Sequence, residues 1–402
     1  FPVLIIRIGT SFHGIINRGE GESGKKLHKA EQIMAVIADG QKRYITLNFQ
    51  IFQKFLNFSI DHVVHTTNIL YDIMSCKSET SHTPWKTTRM SSILYIPMTL
   101  GIKVGPQQSS IHDLAVTGAR FVEVWYRPDR PDDYTDLFTH CRANHIALGL
   151  HHWATTREGF WQTFAYPDEQ ISMDSEHLIQ TTIDHAARIG AVYVNIHSGS
   201  LRRVLYDFQT HDVRVVSDAV DRPDGIQHAV HAIERLDAYA RSKGILLTVE
   251  TTPPFIYPAG HEFDKTSQPV DISELSISEF SHLIPSVAIA NDFSHTAAGC
   301  ISDQRTDVYN HLIATTDKLF RQTRLLHVGF DIDPYNGTDF HDSLSNPNFL
   351  SSDRAVPNKS ELIGLLSKFV TRQDVYALVE PVQDHVGNFE MLQKLVFEAS
   401  QI

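Results

Sequence analysis

The sequence predicts an α/β fold of the (β/α)8 TIM-barrel class, preceded by an irregular N-terminal extension. Over residues 93–402, eight short runs of apolar and β-branched residues alternate with longer segments of helical periodicity. Repeated strand–helix units imply parallel strands, and eight such units are typical of a closed barrel. The alternative, an open doubly wound sheet, favours a glycine-rich phosphate loop after its first strand. The stretch GPQQSS (105–110) is not such a loop.

The predicted strands follow one another at regular intervals along the chain. They are ILYIPMTLGIKV (93–104), FVEVW (121–125), IALGLH (146–151), VYVNIH (192–197), ILLTVE (245–250), VAIAND (287–292), LLHVGF (325–330) and VYALVE (375–380). Between them, segments 175–190 and 224–244 have the clearest helical spacing. Gly190 and Gly244 stand at their ends, where C-terminal helix caps belong.

The N-terminal part of the chain has no clear hydrophobic period. Residues 1–89 contain loop-like stretches such as GEGESGKK, and a regular pattern begins directly after Met90. We therefore predict an N-terminal extension over 1–89, with Met90 as the natural start, and a barrel over 90–402. A small α/β appendage on the barrel is the alternative for residues 1–89.

Composition restricts the class of protein. The 402 residues carry a formal net charge of −12, which is not the general footprint of a nucleic-acid binder, although bound divalent cations reverse the local sign at a site. Three widely spaced cysteines without a CxxC pair favour a reducing, cytoplasmic location. No apolar run approaches the roughly 18 residues of a membrane span. The number of histidines, 23, is unusually high. It matters because imidazole binds metals and transfers protons.

Carboxylates and imidazoles close most of the predicted strands. At or near the strand ends, and in the loops after the sixth and seventh strands, stand His151, His197, Glu250, Asp292, His295, His327, Asp339, His341 and Glu380. In a barrel these ends form one rim, where unpartnered charges would pay a desolvation penalty. Nitrogen and carboxylate ligands without thiolates suit Zn²⁺, Mn²⁺ or Fe²⁺. Nine candidate ligands are too many for one ion, so they predict two or three metal ions.

The motifs at these ends resemble the endonuclease IV family (AP endonuclease family 2) among the xylose-isomerase-like TIM barrels. NDFSHTAAG (291–299) is similar to the DTCHAFAAG signature of that family, and LHVGF…TDFH is similar to its HLND…DRH segment. VNIHSGS, TVETT and LVEP resemble its motifs at strands four, five and eight. The resemblance covers about residues 97–400.

The resemblance implies a metal-dependent hydrolase that cleaves phosphodiester bonds at abasic sites in damaged DNA. It implies a centre of up to three zinc ions: one held by His151, His197 and Glu250, a second by Glu250, Asp292, His327 and Glu380, and a third by His295, Asp339 and His341. His152 is adjacent to the first ligand. Because strand residues alternate, we expect one of the two to face inward, and we predict His151.

The departures from the family leave a second function open. Phe340 replaces the arginine of DRH, and the loop GPQQSS lacks the basic character of the family. The same superfamily contains sugar and sugar-phosphate isomerases and epimerases. Such an enzyme would use one divalent ion at Glu250, Asp292, His327 and Glu380, with Glu250 and Glu380 as the acid/base pair. The predicted substrate is therefore damaged DNA or, alternatively, a small sugar or sugar phosphate.

Overall fold

The chain folds into a closed barrel of eight parallel strands. The structure is a computed structural model that describes residues 98–258, 265–346, 349, 353–381 and 383–402. The predicted extension over 1–89 and the start of the first predicted strand lie outside the described residues. The strands are β1 (Thr99–Val104), β2 (Phe121–Tyr126), β3 (Ala147–His152), β4 (Tyr193–Ile196), β5 (Leu246–Glu250), β6 (Ala288–Asp292), β7 (Thr323–His327) and β8 (Tyr376–Val379).

Each strand pairs with its neighbours in sequence, and β8 closes the barrel against β1. All eight pairings are parallel, with Gly101 opposite Leu378 at the closure. The predicted (β/α)8 barrel is confirmed, and every predicted strand overlaps an observed one.

Helices surround the barrel. They are α1 (Gln108–Thr117), α2 (Thr135–Ala143), α3 (Glu169–Ile189), α4 (Arg222–Ser242), α5 (Ile277–Phe280), α6 (Phe293–Ala298), α7 (Arg305–Leu319), α8 (Lys359–Ser367) and α9 (His385–Ala399). Gly190 and Gly244 follow α3 and α4 with φ of 76° and 74°. This left-handed conformation is the one that the predicted C-terminal caps need. The layer is uneven, because α5 has only four residues whereas β6 is followed by two helices.

The inside of the barrel is closed at the amino ends of its strands. There Phe121, Tyr193, Ala290, Leu325 and Leu378 form a buried apolar layer. Two glycines leave room for its rings. A Cβ on Gly101 would lie 2.3 Å from Phe121, and a Cβ on Gly149 would lie 2.3 Å from Cζ of Tyr193. We name this layer the floor of the barrel.

Polar residues replace apolar ones above the floor. Lys103, Glu123, His151 and Glu250 are at most 1% exposed although they carry ionisable groups. Strand residues alternate between the two faces of the sheet, and their apolar neighbours face the helices. The carboxyl end of the barrel is therefore the polar end. None of the helices in the described part of the chain combines the length and apolar character of a membrane span.

Candidate metal centre

All nine predicted side chains lie together at the carboxyl end of the barrel. Three sets of their ligand atoms have every atom within 4.8 Å of the others: the set His151, His197 and Glu250, the set Glu250, Asp292, His327 and Glu380, and the set Asp292, His295 and His341. We name the first the lateral group and the second the inner group. We name His295, Asp339 and His341 the outer cluster. Their roles as ligands stay a prediction.

Glu250, at the end of β5, lies between the three. One of its oxygens is 3.0 Å from Nδ1 of His327 and 3.1 Å from Nδ1 of His295. Asn195 on the neighbouring β4 donates to its other oxygen. Glu380 reaches the same Nδ1 of His327 at 2.8 Å. The inner group thus offers three carboxylates and one imidazole nitrogen to one point, a donor set that suits a divalent ion.

The stretch NDFSH places Asp292 and His295 by helix capping. Asp292 is the N-cap of α6, and its Oδ1 accepts from the backbone N–H of His295 at 2.8 Å. Its Oδ2 lies 3.6 Å from Nδ1 of His327. One carboxylate therefore starts the helix that carries His295 and also faces the inner group.

The outer cluster brings two imidazole nitrogens and one carboxylate together. Nε2 of His341 lies 2.9 Å from Nε2 of His295 and 2.7 Å from Oδ2 of Asp339. Nε2 of His295 lies 3.6 Å from the same oxygen. Nδ1 of His295 faces the carbonyl of Thr251 at 2.8 Å, so its proton is on Nδ1 and its Nε2 lone pair points into the cluster. Two imidazole nitrogens and a carboxylate oxygen form a donor set that suits a divalent ion.

A second carboxylate orients His197. Nδ1 of His197 lies 3.1 Å from Oε1 of Glu274, and its Nε2 lies 4.0 Å from Glu250. A histidine whose far nitrogen donates to a carboxylate is the usual arrangement of a metal ligand. His327 differs, because its Nε2 lies 2.9 Å from Oε1 of Glu123 as an ion pair without hydrogen-bond geometry, while Nδ1 faces the inner group.

The two adjacent histidines of β3 face opposite sides of the barrel wall. Nε2 of His151 lies 3.7 Å from Glu250 inside the barrel. His152 faces outward, where its Nδ1 is 2.8 Å from Oγ1 of Thr182 on α3. Burial lowers the pKa of His152 to about 3, so this imidazole is neutral. The geometry thus agrees with the choice of His151 as the inward residue.

Besides Glu274, two buried ionisable residues of the site were not predicted from the sequence. Lys103 of β1 lies 3.1 Å from Oε1 of Glu123 of β2 and contacts Glu380. Glu123 also accepts from the Tyr193 hydroxyl at 2.7 Å. Both residues stand between apolar ones, in IKV and VEV, and do not end their strands. A charged residue at an inward position within an apolar strand was the signal that would have found them.

Negative charge predominates at this end of the barrel. Among the described residues, the carboxylates of the centre face one lysine, Lys103. These carboxylates are Glu123, Glu250, Glu274, Asp292, Asp339 and Glu380. Burial raises the pKa of Glu250, but the neighbouring His327 holds it well below its usual value. Burial lowers the pKa of His327, yet Glu250 and Glu123 raise it well above its usual value. The carboxylates therefore stabilise cations at this end of the barrel. Bound divalent ions would provide that positive charge in place of protonated histidines.

An aromatic surface leads away from the histidines. The Trp153 ring lies 6.0 Å from that of His151, 6.1 Å from His197 and 4.8 Å from Trp161. Phe208 continues the surface at 6.3 Å from Trp153.

An open cleft of about 770 Å³ lies at the far end of this surface. Its charged lining is balanced and consists of Arg127, Arg130, Arg214, Glu158, Asp207 and Asp212. The guanidinium of Arg127 lies 4.3 Å from the Phe208 ring and is paired with Asp129. The surface thus offers stacking without a strong net charge.

The loop that carries the outer cluster is fixed by the loop after β5. Lys265 is 5% exposed, and its Nζ lies 2.8 Å from Oδ1 of Asp331. The same ammonium donates to the carbonyl of Thr338, and the Tyr257 hydroxyl donates to the carbonyl of Asp339. Lys265 therefore positions the backbone immediately before Asp339.

We expect Lys265→Met to weaken metal binding at the outer cluster by roughly 10–100-fold, the usual effect of losing an orienting partner. Zinc titration of the chain measures this change. Because the substitution leaves Asp331 buried without its cation, the double variant Lys265→Met/Asp331→Asn provides a chain without that uncompensated charge. Lys243→Met, at an exposed ion pair, is the control. Unchanged outer-site affinity in both Lys265 variants would contradict the positioning role.

Comparison with known proteins identifies the fold family. Residues 111–329, more than half of the chain, match the family model described as xylose isomerase-like TIM barrel. The probable endonuclease 4 of Haloarcula marismortui is 27% identical over 104 residues. That match covers 26% of this chain and 36% of the relative, so the chain spans about a third of the length of that protein.

Solved structures with the same fold include an epimerase-like protein and a sugar epimerase. A D-tagatose 3-epimerase-like protein has a TM-score of 0.52 and 13% identity, covering 76% of this chain and 99% of that chain. L-ribulose 3-epimerase has a TM-score of 0.50 and 10% identity, covering 76% of this chain and 96% of that chain. At such identities the similarity shows the fold alone.

Proposed function

This chain belongs to the xylose isomerase-like TIM barrel family, and we propose that it is a metal-dependent hydrolase that cleaves phosphodiester bonds at abasic sites in DNA. Its cofactor is a multinuclear centre of divalent ions, with zinc suited to the nitrogen and oxygen donors. The partial match to a probable endonuclease 4 supports the same reaction class.

The observation that carries this proposal is the outer cluster next to the inner group. His295 lies 3.1 Å from Glu250 of the inner group and 2.9 Å from His341 of the outer cluster. Two adjacent cation sites suit phosphodiester hydrolysis, in which charge develops on the attacking and leaving oxygens. A reaction on a sugar that uses a single ion at the inner group would not require His341 and Asp339 as ligands.

Neighbouring residues position the side chains of this proposed centre. Glu274 and the Thr251 carbonyl fix the orientation of His197 and His295, and Glu123 lies 2.9 Å from Nε2 of His327. Bound divalent ions would supply an activated water molecule and neutralise the phosphate charge. The stacking surface at Trp153 offers a place for a base beside the scissile bond.

One observation favours a second function, a sugar or sugar-phosphate isomerase or epimerase. Glu250 and Glu380 both approach Nδ1 of His327, at 3.0 and 2.8 Å, so the four ligand atoms of the inner group alone would suffice for one ion. Two glutamates that flank one ion are able to move protons at adjacent carbons of a ketose. The balanced charge of the cleft also suits an uncharged sugar.

We expect His341→Ala to separate the two functions. The hydrolase would lose roughly 100-fold or more of its cleavage rate, because an ion that stabilises charge in the transition state is lost. An isomerase, which needs the inner group only, would keep its rate. The measurements are cleavage of an abasic duplex and solvent-proton exchange into a panel of ketoses, both on zinc- and manganese-loaded chain.

His311→Ala is the matched control, because this histidine lies on α7 outside the centre. Proton exchange into a ketose by the wild type, without strand cleavage and without an effect of His341→Ala, would exclude the hydrolase.

A further inference from the structure

Lys103 distinguishes His151 from the other histidines of the centre. Its Nζ lies 2.5 Å from Nδ1 of His151, and both side chains are at most 1% exposed. An ammonium has three N–H donors and no lone pair, so it donates in this contact. Nδ1 of His151 therefore presents its lone pair to Lys103.

The surroundings of Lys103 require the ammonium form. Its Nζ lies 3.1 Å from Glu123 and also contacts Glu380. A neutral amine would leave two buried carboxylates without the cation that they share, which is strongly unfavourable in a desolvated site. The direction of the hydrogen bond to His151 follows from this charge.

A neutral imidazole carries one proton, and in His151 that proton is on Nε2. This is the atom that faces Oε2 of Glu250 at 3.7 Å and has no hydrogen-bond acceptor within reach. A protonated nitrogen has no lone pair for a metal ion. Nε2 of His151 is thus a buried donor directed at Glu250.

His197 and His295 have the opposite arrangement. Their Nδ1 atoms face oxygen acceptors, Oε1 of Glu274 at 3.1 Å and the Thr251 carbonyl at 2.8 Å. Their protons are therefore on Nδ1, and each Nε2 is free to bind a metal ion. Among these three histidines, His151 alone faces a cation at Nδ1.

We infer that Lys103 prevents His151 from binding a metal ion, so that the loaded chain holds two ions, at the inner group and the outer cluster. The lateral group then keeps only His197 and Glu250, fewer than the three or four protein ligands of a zinc site. This inference rests on the proposed metal centre and corrects the three-ion count implied by the sequence resemblance. His151 acts instead as a hydrogen-bond donor inside the centre.

The test is the number of zinc ions per chain after equilibrium dialysis. We expect about two in the wild type, and about two in His151→Asn. Lys103→Met removes the donor, so that Nδ1 of His151 becomes free to donate to Glu123, 3.5 Å away, and Nε2 to bind an ion. We expect about three ions in Lys103→Met and two again in Lys103→Met/His151→Asn. A structural role of Lys103 would not raise the count.

The outcomes that would overturn the inference are distinct from failure of the proposed function. Three ions in the wild type that fall to two in His151→Asn would overturn it. Should Lys103→Met not fold, nitrogen NMR of His151 in the zinc-loaded wild type decides, because a proton on Nδ1 contradicts the inference. A single ion in the wild type would remove the multinuclear hydrolase, and the same NMR measurement would still decide the role of Lys103.

Discussion

Glu250→Gln is expected to remove most of the bound metal and to lower activity by roughly 10³-fold or more. The carboxylate of Glu250 contacts His327 and His295 and borders all three sets of ligands. An amide has nearly the same shape but no negative charge, so the change acts on the cations and leaves the packing intact. Zinc content per chain and the rate in whichever assay the wild type passes measure the effect.

Glu234→Gln is the matched control for this change. The same isosteric change is made here on α4, where the Glu234 side chain is 56% exposed. We expect its metal content and rate to equal those of the wild type. A Glu250→Gln chain that kept its full zinc content would exclude Glu250 as the shared ligand.

Gly149→Ala is expected to destabilise the barrel by about 3 kcal/mol, a decrease of roughly 5–10 °C in Tm. The added Cβ would lie 2.3 Å from Cζ of Tyr193. The ring is fully buried, and its hydroxyl is bonded to Glu123 at 2.7 Å, so it has little freedom to move. Thermal unfolding followed by circular dichroism measures the decrease.

Gly364→Ala is the control with the opposite sign. Gly364 lies within α8, and a Cβ there would meet no atom within 4 Å. Alanine is the better helix former by up to about 1 kcal/mol, so we expect Tm to rise slightly. Equal changes at the two positions would refute the close contact between Gly149 and Tyr193.

The periodicity of the sequence was sufficient to predict the barrel and the convergence of its strand ends. Eight apolar runs place their last residues on one rim once the strands are parallel, so His197, Glu250 and Asp292 lie together by topology. The prediction used the strand ends and the loops that follow them. It therefore missed Lys103 and Glu123, which stand one or more residues before the ends of β1 and β2.

Other contacts depend on loop conformation, which has no periodic signal in a sequence. Glu274 reaches His197 from a segment 77 residues further along the chain. Lys265 and Asp331 meet between two loops of unequal length. The tautomer of a histidine depends on such partners, so a pattern that names ligands does not determine whether each one is able to bind an ion.

The difference in exposure between the two proposed ion sites has a kinetic consequence. Side chains of the outer cluster are 14% exposed at His341 and 15% at Asp339, whereas Glu250 and His327 are at most 1% exposed. The floor of the barrel closes the opposite side. An ion at the proposed inner site would be the more shielded of the two, so we expect a chelator to remove it more slowly than an ion at the outer cluster.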